Sequence, residues 1–148
     1  MPTIAMLCTS SDKMPKKDGT SNPSGCWYEE LAAPYLRFTE KGYQVNIYSV
    51  KGGKITFDGA SLKGDFFTAD CQKFKDDGLE EKLCSNTASV TSIDVASSDA
   101  LYIPGGHACY ADMLDESVTN TINQFVAAGK VVAADCHGTK NFSILPFT

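Results

Sequence analysis

Ile122-Asn123-Gln124-Phe125-Val126-Ala127-Ala128-Gly129-Lys130-Val131-Val132-Ala133-Ala134-Asp135-Cys136-His137-Gly138 is the stretch whose reading decides how this chain folds. Its apolar residues change period partway along. From Asp112 onward Leu114, Val118, Ile122, Phe125 and Val126 recur at helical spacing, and Gly129 supplies the stop. Val131 to Ala134 is then a compact apolar run, read as a buried strand. Helix, glycine and strand follow one another a second time upstream. A helix is predicted over Trp27 to Lys41, with Pro34 expected to bend it or mark a late start, then Gly42, then an alternating strand from Gln44 to Ser49.

The remaining segments fit around these two units. Thr3 to Cys8 reads as a buried strand, followed by a polar loop to about Gly25. Gly52-Gly53 and Asp58-Gly59 punctuate a turn-rich stretch, with a small hairpin expected at Lys54 to Phe57. Asp70 to Ser85 is charged and helix-compatible, and Ala100 to Ile103 is a strand stopped by Pro104-Gly105-Gly106. Repeated strand–helix–strand order predicts an α/β fold, a parallel sheet with helices on both faces, in a single domain over residues 1–148.

Composition narrows the function classes. At 43% hydrophobic and 21% charged residues, the chain has the material for one core. Its net charge is −5, and the largest basic cluster, Lys13, Lys16 and Lys17, is broken by Met14 and Pro15, so a nucleic-acid partner is not expected. No apolar run approaches the ~20 residues of a membrane span. The first apolar stretch, Ile4 to Cys8, is too short for a secretory signal and has no positive residue ahead of it. The six cysteines are irregularly spaced, without a Cys-x-x-Cys pair, and there are two histidines. The expectation is a reduced cytoplasmic protein with mostly buried thiols and no metal site.

Two strand-end loops stand where ligands bind in open α/β sheets. Asp135-Cys136-His137-Gly138 sets a cysteine on a sharp turn between strand and helix, where a helix N-terminus and a neighbouring imidazole favour the thiolate. Pro104-Gly105-Gly106-His107 offers glycine amides able to hold an oxyanion. Spacing alone leaves a second reading, a buried Cys136 with Gly138 merely permitting the turn; the pair of loops favours a site.

Four segments carry a family resemblance: Gly25-Cys26-Trp27-Tyr28-Glu29-Glu30 with Pro34; Gly52-Gly53 with Asp58 and Ser61; Ala100 to His107; and Ala134 to Gly138. In order and separation they resemble the DJ-1/PfpI superfamily, and its Hsp31-like, glyoxalase III-like branch in particular. The resemblance implies a flavodoxin-like sandwich (class I glutamine amidotransferase-like) and a glutathione-independent glyoxalase converting methylglyoxal to lactate. Chaperone and deglycase activities are also attributed to the group. It implies Cys136 as nucleophile, His137 as neighbouring acid/base and Glu30 as the carboxylate near the thiol, with Gly105, Gly106 and the backbone of His137 at the oxyanion and His107 lining the pocket. No cofactor or metal is implied; the partner is a small 2-oxoaldehyde, and a homodimer is left open.

The match has departures. Asp135 stands where the family has an apolar residue, and a carboxylate there raises a thiol's pKa. Ala108 replaces a glycine, at roughly 1 kcal/mol if its φ is positive. Thr139 replaces a proline. Only Thr139 to Thr148 follow the elbow, with Pro146 limiting the last helix, so the domain is expected to be incomplete at its C-terminus. Two alternatives stand beside the enzyme: a non-catalytic stress-response, redox-sensing or chaperone-like protein, and an inactive truncated paralogue.

Overall fold

The computed structural model describes residues 1–144, the last two by backbone alone, so the expected effect of Pro146 lies outside the described residues. Five parallel strands form the main sheet: β1 (Thr3–Cys8), β4 (Gln44–Ser49), β5 (Ala88–Ser89), β6 (Ala100–Ile103) and β7 (Val131–Ala134). β1, β4, β6 and β7 occupy the predicted spans, but β7 ends the described sheet with Val131 and Ala133 exposed, which corrects its reading as a buried strand: no described element covers that side. The order across the sheet is β5-β4-β1-β6-β7, so its direction of winding reverses between β1 and β6. This is the doubly wound, flavodoxin-like arrangement, in which a crevice opens at the carboxyl ends of the strands beside the reversal.

Side-chain alternation along β1 divides the core into two layers. Ile4, Met6 and Cys8 pack beneath α1 (Tyr28–Glu40) with Leu31, Leu36 and Phe74. Ala5 and Leu7 point the other way, against Leu101, Ile103, Val118, Ile122 and Phe125. The second layer is closed by α5 (Glu116–Ala127) and the first also by α2 (Ala69–Asp76) and α3 (Leu79–Cys84).

Local chemistry moved several boundaries. The polar loop holds a small antiparallel pair, β2 (Lys13–Pro15) and β3 (Ser21–Pro23), turning at Gly19 with φ +84°. The expected hairpin at Lys54 to Phe57 does not form. Phe57 instead bridges to Cys26, and the Ile55 amide donates to the Cys84 carbonyl at 2.9 Å, because long-range partners satisfy the backbone first. Gly78, at φ +70°, splits the expected helix over Asp70 to Ser85 into α2 and α3. The periodicity counted from Asp112 likewise divides into α4 (Cys109–Asp112) and α5, leaving Leu114 and Val126 exposed.

Candidate active site

Glu30 sits in the first turn of α1, and two tertiary contacts fix the backbone of that turn. Trp27 at the N-cap gives no side-chain cap; the Ser61 hydroxyl accepts from the Tyr28 amide at 3.1 Å in its place. Ser61 is itself held by donating to the Asp58 carbonyl at 2.6 Å, and Asp58 accepts from Ser24 at 2.8 Å. Pro34 lies inside α1 without an N–H, so the carbonyl of Glu30 loses its intrahelical donor. The Tyr102 hydroxyl, reaching from β6, donates to that carbonyl at 3.2 Å. The proline expected to bend the helix therefore has a partner that ties Glu30 to the sheet.

The glycines after β6 bring three segments together. A Cβ on Gly105 would stand 2.5 Å from Glu30 Oε2, 2.8 Å from the Asp135 carbonyl and 2.9 Å from Cys136 Cβ. Gly106, at φ +116°, has no room for a side chain against Gly25 and Trp27. Gly138 is equally constrained, since a Cβ there would lie 2.5 Å from the Ile103 carbonyl. Gly138 is thus a packing requirement of the elbow as well as a turn residue. Ala108 has φ −63°, so the cost anticipated for alanine there does not arise.

Cys136 occupies the left-handed region at φ +46°, alone among the described non-glycine residues. Such a conformation costs about 1–2 kcal/mol and points to a constraint from the surroundings. Cys8, Cys26, Cys71, Cys84 and Cys109 are buried, whereas Cys136 is exposed, so the reading of Cys136 as a buried structural cysteine is corrected. Its Sγ lies 3.1 Å from His137 Nδ1. A 3₁₀ helix (Cys136–Ile144), rather than an α-helix, follows the elbow.

The electrostatics run against a resting thiolate. Partial burial pushes the Cys136 thiol up, and the charges of Glu30 and Asp135 push it further, against the backbone hydrogen bond from His137. Burial lowers the His137 imidazole, and the charge of His107 adds to this. Burial drives the Glu30 carboxyl up to about 7 despite the Gly105 amide, which donates to Oε2 at 2.7 Å. That bond corrects one expectation: the Gly105 amide is committed to Glu30 rather than turned to an oxyanion.

Glu30, Gly105, Cys136 and His137 meet at one point, while the exposed His107 lies beside His137, its ring tilted by 45° with centroids 4.4 Å apart, and is not among the residues lining the depression at the thiol. Sequence reasoning missed Tyr110, whose ring lies 5.2 Å from His137, and Lys140, whose Nζ lies 5.0 Å from the Tyr110 ring. It also missed Asp112, a buried carboxylate that accepts from the Thr9 hydroxyl and the Ser10 amide, both at 2.7 Å, and so anchors α4 to the end of β1. None of the three carries a local signal, because each acts across more than one element. Among the described residues no cluster of side chains is arranged to hold a metal ion. No described helix is long and apolar enough to cross a membrane.

Comparison with known proteins agrees with this fold. The DJ-1/PfpI family model matches residues 25–143. The glutathione-independent glyoxalase hsp3101 of Schizosaccharomyces pombe is 31% identical over 128 residues, covering 84% of this chain and 50% of that protein. A deglycase of Pyrococcus horikoshii is 30% identical over 110 residues, covering 74% and 53%. Among solved structures, the 24 kDa rapid encystment protein of Francisella tularensis superposes with a TM-score of 0.85 at 26% identity, covering 95% of this chain and 61% of that one. Glyoxalase III of Candida albicans shares the fold, with a TM-score of 0.80 at 23% identity over 95% and 59%. The chain spans about half the length of the curated relatives it matches.

Proposed function

The chain belongs to the DJ-1/PfpI family, and from that premise we propose that it is a glutathione-independent glyoxalase that converts methylglyoxal to lactate through Cys136. The observation that carries this reading is the convergence of an exposed, left-handed Cys136 with His137 Nδ1 at 3.1 Å and a Glu30 carboxyl poised at about 7. The names of the glyoxalase and deglycase relatives support it.

The pKa directions define the starting state. With the thiol raised and the imidazole lowered, the resting pair is neutral, S–H donating to Nδ1, instead of a thiolate–imidazolium pair. As sulfur attacks the aldehyde carbon, His137 takes the thiol proton and passes it to the carbonyl oxygen, giving a hemithioacetal and leaving the imidazole neutral again. Glu30, about half ionised near neutral pH, removes the proton from C1 and returns it to C2, while the C1 hydroxyl proton passes to the C2 oxygen by way of the enediol and His137. C1 is thereby oxidised to the thioester level and C2 reduced to an alcohol. Water cleaves the thioester, releasing the hydroxy acid and restoring the thiol.

The test is lactate formation from methylglyoxal without glutathione. Cys136→Ser should reduce kcat/KM by at least about 10³-fold. Turnover that survives the substitution removes the proposal. The exposure of Cys136, where the other five cysteines are buried, favours a second reading, a non-catalytic redox or stress protein in which Cys136 oxidises reversibly without turning over dicarbonyls.

A further inference from the structure

We propose, resting on the glyoxalase reading, that Ser61 is a positioning residue for the Glu30 base: it caps, from outside the helix, the turn that carries the carboxyl. A glutamate three residues past the N-cap ordinarily reaches back to the N-cap amide and closes that end of its helix. Glu30 stands at that spacing from Trp27, the N-cap of α1. Here, however, Gly105 lies between the two. Its carbonyl accepts from the Trp27 amide at 3.0 Å, and its amide donates to Glu30 Oε2 at 2.7 Å. The carboxyl is thereby spent on the loop beside Cys136, and the Trp27 side chain makes no cap. Ser61, 33 residues further along the chain from Tyr28, supplies one by accepting from the Tyr28 amide at 3.1 Å.

Ser61 is itself held on several sides. Its hydroxyl donates to the Asp58 carbonyl at 2.6 Å, and the Asp58 amide donates to the Cys26 carbonyl at 2.9 Å. The Asp58 carboxylate accepts from the Ser24 hydroxyl at 2.8 Å and the Ala60 amide at 2.9 Å. Ser24, Asp58 and Ser61 are all buried, so water does not compete for these bonds. In Ser61→Ala the Tyr28 amide is left buried without its acceptor, and the turn relaxes, carrying Glu30 with it. A shift of about 1 Å at a general base slows proton transfer by up to about 10²-fold, while substrate binding is little changed. The Glu30 charge also opposes ionisation of the Cys136 thiol, so the same shift makes that thiol more reactive.

Two measurements at pH 7.5 test the idea: lactate formation from methylglyoxal, and alkylation by iodoacetamide of Cys136, which is the exposed cysteine. In Ser61→Ala, kcat should fall about tenfold with KM within about twofold, and alkylation should quicken about twofold. Ile122→Val, a core change in the other layer, should lower stability and leave these quantities unchanged. The decisive arm is a double-mutant cycle on alkylation, which needs no turnover. With Glu30 already replaced in Glu30→Gln, Ser61→Ala should change the alkylation rate no further. Alkylation that Ser61→Ala leaves unchanged, or changes equally in both backgrounds, overturns the inference, and lactate formation by the natural protein then leaves the glyoxalase reading intact. If the natural protein forms no lactate while the cycle shows the coupling, the glyoxalase reading fails and Ser61 still positions Glu30. Should Ser61→Ala not fold, Ser24→Ala withdraws a donor from Asp58 and carries the same cycle, with smaller changes in the same direction.

Discussion

At Cys136 the balance of charge is unusual for a nucleophile. Two carboxylates, Glu30 and Asp135, oppose ionisation of the thiol, and one backbone amide favours it. Glu30 belongs to the reaction proposed above, but Asp135 is exposed and has no role in it, so it acts as a brake. Asp135→Ala should therefore raise the rate of Cys136 alkylation by iodoacetamide at pH 7.5 by roughly threefold, with the alkaline limb of the pH–rate profile moving to lower pH. Because the resting pair is neutral, the natural protein should show no acid plateau of reactivity. A plateau below pH 7 would instead reveal a thiolate–imidazolium pair. Cys136, His137 and Glu30 were legible from motif residues. The tuning was not, since it depends on burial and on distances between segments more than 100 residues apart, as Glu30 and Asp135 are.

At the scale of the element, α1 is a helix whose defect is used. Pro34 removes the donor for the Glu30 carbonyl, and Tyr102 replaces it from β6. The two changes are therefore energetically coupled. Tyr102→Phe should cost about 1–2 kcal/mol by leaving a carbonyl unpaired, and the same change should cost less in a Pro34→Ala background, where the helix supplies its own N–H. Urea unfolding of the two single variants and the double variant measures this, and strict additivity would break the link. The strand spans were readable because each is a short apolar or alternating run bounded by turn residues. The helices after β4 and β6 were harder: Gly78 divides one apparent helix, and α4 is fixed by Asp112 reaching across to Thr9 and Ser10. Such a contact has no periodic trace.

For the molecule as a whole, the site carries a stability cost that depends on pH. The folded-state Glu30 carboxyl stands at about 7, above the roughly 4.3 of an unfolded chain, so the folded protein holds this proton more tightly. Asp112 is displaced in the same direction by burial. Their favourable contribution is present in acid and is lost as pH rises from the unfolded value through the folded one. Glu30→Gln should thus match the natural protein's urea midpoint near pH 4.5 and exceed it at pH 8; a difference independent of pH would contradict this. By itself the sequence determined the α/β class, the β1, β4, β6 and β7 strands and the identity of the candidate nucleophile, because periodicity and glycine punctuation are local properties of the chain. Only the tertiary structure decided that Cys136 is exposed in a left-handed turn, that the Gly105 amide belongs to Glu30, and that Lys140 shares a wall with Tyr110 and His137. Those facts arise from close approach of segments joined by the sheet, where sub-ångström clearances and desolvation set the chemistry.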